Sequence, residues 1–343
     1  LYPEHIEAHR GLENYKAAKG KLFAHLKRCR QKYVNDKKQV QIIKHEIKKL
    51  DLERVKKIII INGDDEHANY FLQFKAETKI VYKVESYKIY KVANYDTLTI
   101  KASNVDAKSD GTQFFIDGVR FKLQMLGAFN VYNALAAVSV GLTQGLNLEQ
   151  IKNGLEKISG VPGRFEKITS PPTPLLSKER GEVIHVWPDF TVIVDYAFEP
   201  RAVEKLYETI KLMDHNKIIH VLGSAGGGRD IARRSILGKM AGERADFIVV
   251  TNEDPYDDDP QIIIDQVAVG AEQAGKVVNK NLFKIMDRRE AIKKALSLAQ
   301  AGDIVLITGK GCEQAICIAG GRKLLWDDRQ VVREELNRIT PSQ

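Results

Sequence analysis

Between residues 190 and 338, short β-branched runs alternate with segments of helical period, and each run stops at a polar tip. The run 191–194 ends on Asp195-Tyr-Ala-Phe-Glu199-Pro200 before a helix over 202–212. The run 217–222 enters a glycine-rich turn, Gly226-Gly-Gly-Arg229-Asp230, followed by a helix to 244. The run 247–251 leads to Asn252-Glu-Asp254-Pro-Tyr256 and a helix over 261–274. A helix over 288–301 precedes the run 304–308, which stops at Gly309-Lys-Gly-Cys-Glu313, and a last helix covers 328–338. Alternating βα units predict a doubly wound, largely parallel sheet. All the tips follow strands, so they share one rim, and ligands of open α/β sheets bind there beside helix N-termini that favour anions. Asp195 stands at the centre of this set. On its own segment, an Asp that caps a strand-to-helix turn explains it at least as well.

The front half reads differently. A strand over 57–62 ends in Gly63-Asp-Asp65 and gives way to a helix over 68–74. Strand-shaped segments follow at 79–85, 97–102, 112–116 and 119–123, and Asp117-Gly118 between the last two is hairpin-turn chemistry. The expectation is a sheet that finishes in antiparallel hairpins. A helix then begins near Gly127, with Asn130 and Asn133 in its first turn, and a second covers 148–158. Asparagine is a poor helix-interior residue, so two in one turn mean capping or a ligand.

At the start, Pro3 to His9 opens a helix with His5 and His9 on one face. Glu7 lies two residues after His5, not one, which excludes the H-E-x-x-H zinc-protease pattern. An amphipathic helix follows, with Leu12, Tyr15, Leu22 and Phe23 as expected core contacts, and Lys19 taken singly is a surface lysine. The turn 159–166 marks the expected boundary between a domain over 1–160 and one over 161–343. A proline-rich exposed insertion is expected at 170–181.

A length of 343 residues fits about two domains, and no apolar run is long enough to span a bilayer. The net charge of +8 comes largely from one run between Lys27 and Lys57, which reads as a solvated helical face. Few aromatics interleave it for base stacking, so no nucleic acid is expected. Cys29, Cys312 and Cys317 form neither a disulfide framework nor a zinc pattern, which suits a reducing cytoplasm. The chain starts at Leu1 with polar helical residues rather than a signal peptide, and is expected to be a piece of something longer.

Taken in their order, the tips resemble the Mur ligases, ATP-dependent enzymes that join an amino acid to a carboxylate. The resemblance is closest to the branch that extends UDP-N-acetylmuramoyl-dipeptide. It rests on Glu4-His5-Ile-Glu-Ala-His9, Tyr15-Lys-Ala-Ala-Lys19, Asn62-Gly-Asp-Asp65, Phe129-Asn130-Val-Tyr-Asn133 and Pro162-Gly-Arg164 in the front part. Further on it rests on Asp195-Tyr-Ala197, Gly226-Gly-Gly-Arg-Asp230, Thr251 to Pro255, Gly309-Lys-Gly311 with Glu313, and Trp326-Asp-Asp-Arg329. It implies an α/β chain in which part of a central ATPase domain precedes a Rossmann-like C-terminal domain.

The resemblance also implies roles. His5 would bind Mg²⁺, and Lys19 would be carbamylated and steady the metal. Asn130 and Asn133 would face the adenine, and Arg164 and Asp195 the rest of the ATP. Arg229, Asp254, Gly309 and Glu313 would hold the incoming amino acid, an arginine suiting a carboxylate and a glutamate an ammonium. The implied reaction passes through an acyl phosphate in a monomeric, cytoplasmic enzyme of peptidoglycan precursor synthesis.

Three departures stand beside this. No G-x-x-x-x-G-K-[ST] phosphate loop occurs in the chain, so only the back half of the ATPase domain is expected and turnover by the chain alone is not. Phe198 and Cys312 stand where the branch usually has histidine. The D-N-P-R motif associated with diaminopimelate reads Glu253-Asp-Pro-Tyr256, which leaves lysine or another diamino acid open, with Asp254 a candidate for its second ammonium. A folylpolyglutamate or cyanophycin type of ligase, and a non-catalytic nucleotide-binding partner subunit, are the alternatives.

Overall fold

The computed structural model describes residues 1, 6–33, 40–43, 46–49, 54–85, 97–169, 188–229 and 231–338. His5, Asp230, the insertion expected at 170–181 and part of the basic run lie outside the described residues.

The chain opens with helices α1 (Ile6–His9) and α2 (Leu12–Arg28), then the antiparallel pair β1 (Val40–Ile43) and β2 (Glu46–Lys49). Next come β3 (Ile58–Asn62), α3 (Ala68–Leu72), β4 (Thr78–Val84), β5 (Leu98–Lys108), β6 (Gly111–Ile116), β7 (Val119–Leu123), α4 (Phe129–Thr143) and α5 (Leu148–Leu155). The five strands β3 to β7 form one sheet in sequence order. It is parallel as far as β5 and antiparallel beyond, as the hairpin chemistry predicts. Asp117 and Gly118 both take positive φ, 47° and 80°, which a two-residue hairpin needs to match the strand twist.

The second sheet is built from β8 (Glu166–Thr169), β9 (Thr191–Asp195), β10 (Ile218–Leu222), β11 (Phe247–Thr251), β12 (Leu282–Ile285) and β13 (Ile304–Thr308). Its helices are α6 (Pro200–Ile210), α7 (Ala232–Arg244), α8 (Pro260–Gln273), α9 (Arg288–Leu298) and α10 (Asp328–Asn337). A small hairpin, β14 (Ala315–Ile318) with β15 (Arg322–Leu325), lies between β13 and α10. The strand order is β12-β11-β10-β13-β9-β8, parallel except for β8 at the edge. Every residue of β10 and β13 is buried, as expected of central strands covered on both faces. One face packs under α6, α7 and α8 through Val203, Leu206, Leu237 and Ile264, and the other under α9 and α10 through Ile292, Ala295 and Val332. The sheet is therefore doubly wound.

Two expectations need correction. The basic run between Lys27 and Lys57 is not one helical face among the described residues, because α2 ends at Arg28 and β1 and β2 are extended. Leu22 is 74% exposed, because α2 buries the face that carries Gly20 and Phe23, and a helical neighbour of Phe23 is turned a full 100° away. Strand β12 and the β14–β15 hairpin carry too few residues of one period to stand out in the sequence. Among the described residues, no helix is long and apolar enough to cross a membrane.

Helices α7 and α8 approach through glycines. A Cβ on Gly238 would overlap the carbonyl oxygen of Val267, and one on Gly270 that of Ser235. Gly to Ala within a helix ordinarily gains up to about 1 kcal/mol. Here Gly238→Ala is expected to cost about 1–3 kcal/mol, because the clash is with backbone that cannot rotate away. An unchanged or raised urea midpoint would contradict this contact.

Candidate functional site

Parallel pairing brings the tips of β9, β11 and β13 to one edge, with Asp195 directly opposite Thr308. Asp195 does not cap α6, whose N-cap is Glu199 with Pro200 at the first helical position. Its carboxylate instead accepts the N–H of Phe165 and of Ala197, both at 2.6 Å. Burial pushes its pKa up, against those two hydrogen bonds and the nearby charge of Arg164. Asp195 thus fastens the Pro162-Gly-Arg164 turn to the sheet edge.

That turn packs on the next loop. Gly163 has φ of 67°, and any Cβ on it would strike the backbone of Gly311 and Cys312. The Arg164 guanidinium lies 4.4 Å from the centroid of the Tyr196 ring. The Tyr196 hydroxyl donates to Glu313 Oε1 at 2.9 Å, and Glu313 Oε2 accepts from Lys310 Nζ at 2.5 Å. Lys310 also donates to Asp254 Oδ1 at 2.8 Å, and the same oxygen accepts the N–H of Cys317 at 2.7 Å. A continuous polar run therefore joins Arg164, Tyr196, Glu313, Lys310 and Asp254 along the rim. Lys310 is only 1% exposed. Burial works against its charge, yet hydrogen bonds to Asp254 and Glu313 hold its pKa above the usual lysine value. Both carboxylates expected to meet a substrate ammonium already share an internal one.

Glu253 lies beneath this run. It is 4% exposed, its Oε2 has no hydrogen-bond partner, and it fills the space where Gly309 lacks a side chain. Gly309 takes φ of 105°, so the position disfavours a side chain on two counts. Burial pushes the Glu253 carboxyl up to about 7, against the opposing charges of Arg288, Arg233 and Lys310.

Arg229 is exposed on the glycine-rich loop, with its guanidinium against the Tyr256 hydroxyl. Tyr256 holds φ of 52°, donates its N–H to Cys317 at 3.1 Å, and sets its ring beside Gly227. The structure so brings Arg229, Asp254, Gly309 and Glu313 to one rim with Arg164 and Asp195. Across from them, the Glu7 carboxylate on α1 accepts the N–H of Ile231, 3.2 Å to each oxygen, just before α7.

The remaining expected residues lie in the front half. Asn130 is buried, donates to the carbonyl of Leu126 at 2.7 Å, and accepts from Asn133 at 3.0 Å. The two close the first turn of α4, and Asn133 is exposed. Lys19 is exposed, its ammonium 5.2 Å from the Tyr15 ring centroid. An unmodified ammonium is not a metal ligand. Among the described residues, no group of His, Cys, Asp or Glu is placed to hold a metal ion, so they do not by themselves fit Mg²⁺.

The sequence assigns no role at this site to Lys310, Tyr196 or Glu253, and Tyr256 stands in it only as the replacement for an arginine. Lys310 and Glu253 sit inside the strand-end tips, and a charge flanked by strand-end glycines or by an apolar run is the local signal of such a buried group.

Two family models match the chain. The Mur ligase middle domain matches residues 48–141, and the glutamate ligase domain of Mur ligases matches 179–311. The chain is 33% identical over 342 residues to the UDP-N-acetylmuramyl-tripeptide synthetase of Roseiflexus sp., covering 98% of this chain and 58% of that protein. It is 33% identical over 336 residues to the UDP-N-acetylmuramoyl-L-alanyl-D-glutamate--2,6-diaminopimelate ligase of Syntrophomonas wolfei, again covering 98% and 58%. The chain thus spans 58% of the length of these relatives. The crystal structure of UDP-N-acetylmuramate-alanine ligase from Thermotoga maritima aligns over 92% of this chain and 71% of its own. Its TM-score is 0.51 at 16% identity, a likeness of fold.

Proposed function

With the chain a member of the Mur ligase family, we propose that it belongs to an ATP-dependent ligase that adds an amino acid to UDP-N-acetylmuramoyl-dipeptide. The observation that carries this reading is the rim itself, where Arg164, Asp195, Arg229, Asp254 and Glu313 gather at the ends of parallel strands. In it, the γ-phosphate of ATP passes to the dipeptide carboxylate. The amino group then attacks the acyl phosphate, a proton leaves the amine, and ADP and phosphate are released.

Each residue has one task. Arg164, with Tyr196 behind it, offers a guanidinium face to the nucleotide, and Asp195 keeps that turn in place. Asn133, exposed and held in place by the buried Asn130, presents an amide edge at the start of α4 for the base. Arg229 offers its fork to the carboxylate of the incoming amino acid, and Glu313 with Asp254 supplies negative charge for its other end. ATP and Mg²⁺ are the cofactors of this reading, and no step is assigned to the ion.

The 343-residue chain alone is not expected to turn over. Phosphoryl transfer needs a cation at the β- and γ-phosphates. The one glycine-flanked lysine on the rim, Lys310, is buried between two carboxylates and cannot serve. Two measurements test the reading. A non-hydrolysable ATP analogue should bind by calorimetry, about tenfold more weakly to Arg164→Ala, a loss of about 1.4 kcal/mol. Phosphate release with UDP-N-acetylmuramoyl-dipeptide and amino acid should stay at background. Absence of nucleotide binding defeats the ligase reading, and turnover defeats the claim of incompetence.

A further inference from the structure

We propose that Glu166 is a positioning residue for nucleotide binding. Held from behind by Arg329 and Arg333 of α10, it fixes the turn that aims Arg164, so the Trp326-Asp-Asp-Arg329 segment acts on the nucleotide without touching it. This rests on the ligase reading above, in which Arg164 faces the nucleotide, and adds residues to which that reading gives no task.

Among the described residues Arg164 is exposed and makes no ion pair, so its backbone and the Tyr196 ring set its direction. That backbone is a tight turn. Pro162 and Gly163 occupy its two central positions, Gly163 with φ of 67°, and the Arg164 N–H donates to the Val161 carbonyl at 2.9 Å, the pattern of a type II turn. Directly after it Phe165 holds φ of 47°, a conformation costly for a residue with a side chain. Such a residue keeps its shape only where its surroundings over-determine it.

Two carboxylates do this. Asp195 takes the N–H of Phe165, and Glu166 Oε2 takes that of Gly163 at 2.8 Å, a donor that the turn's own hydrogen bond leaves unused. Glu166 is in turn fixed from α10. Its Oε1 accepts from Arg333 at 2.6 Å, and Arg329 lies 3.8 Å from Oε2.

Arg329 is itself aimed. Asp327 caps α10 through the N–H of Arg329 and grips the same guanidinium through Nε at 2.9 Å and Nη2 at 2.5 Å. The neighbouring Asp328 holds Arg288 below the ends of β11 and β13. One helix start therefore pins the rim from two sides, and its Glu166 side leads to Arg164. Charge separates this task from a plain electrostatic one. Removing the Glu166 carboxylate takes away negative charge, which by itself would tighten an anionic nucleotide. Weaker binding then reads lost position.

The test is a double-variant cycle on the 343-residue chain, read as calorimetric affinity for a non-hydrolysable ATP analogue, with the parent, Glu166→Ala, Arg164→Ala and the two combined. Glu166→Ala is expected to weaken the analogue about five- to tenfold, and to have no further effect beside Arg164→Ala. Arg333 is exposed, so Arg333→Ala carries the same test where Glu166→Ala does not fold. It should weaken binding about two- to threefold, again with no further effect beside Arg164→Ala. A loss through charge or general loosening would persist in the Arg164→Ala background. Unchanged affinity in the folded variants, or an equal loss with and without Arg164, overturns the inference and leaves the ligase reading intact, as does an Arg164→Ala variant that binds like the parent. A parent that binds no nucleotide defeats the ligase reading and this inference with it.

Discussion

Replacing Arg288 by Met is expected to destabilise the protein by about 3–5 kcal/mol, the range for breaking a buried ion pair from one side. Arg288 is 2% exposed, in the first turn of α9, and grips Asp328 through Nε at 2.8 Å and Nη2 at 2.7 Å. The same guanidinium donates to the carbonyls of Asn252 at 3.1 Å and Thr308 at 2.8 Å, the ends of β11 and β13. Without it, Asp328 keeps a fully buried charge that, among the described residues, only the Trp326 indole N–H answers, and two carbonyls lose a donor. The double variant Arg288→Met with Asp328→Leu is expected to recover most of the loss, because the uncompensated charge goes as well. Guanidinium chloride unfolding of the three proteins decides the matter. A single variant within about 1 kcal/mol of the parent would mean that the pair contributes no more than an exposed one.

This clamp also shows where sequence reading stops. Buried parallel strands advertise themselves through β-branched runs, and the tips that follow them are forced to one edge by right-handed crossovers. Asp195, Asp254 and Glu313 were legible for that reason. Arg288 and Asp328 lie forty residues apart, and nothing local separates a buried pair from two surface charges. Strand β12 has four residues and the β14–β15 hairpin four in each strand, so their patterns are too brief to register.

The asparagines were legible as a pair but not in role. Asn130 and Asn133 bond each other and Leu126, a detail that depends on how the turn before α4 closes. At Asp195 the sequence left two readings open. The carboxylate does bind backbone N–H groups, yet those of a turn and not of the helix it was set to cap. Its place in nucleotide binding remains part of the proposal.

The second large effect belongs to Glu253. Its folded pKa of about 7 lies above the ordinary 4.5, because burial outweighs the cations around it. The folded state therefore binds this proton more tightly than the unfolded chain. The stability this represents is complete below about pH 4.5 and is lost as the pH rises through 7. A shift of that size corresponds to about 3 kcal/mol. Glu253→Gln keeps the shape and removes the charge, at the cost of an amide N–H₂ that the site satisfies only in part. The variant is expected to match the parent within about 1 kcal/mol at pH 4.5 and to exceed it by about 2 kcal/mol at pH 8.5. Denaturant midpoints measured across that interval should diverge above pH 5 and flatten beyond pH 8. Parallel curves would mean that Glu253 finds a partner for its Oε2 and is ionised throughout.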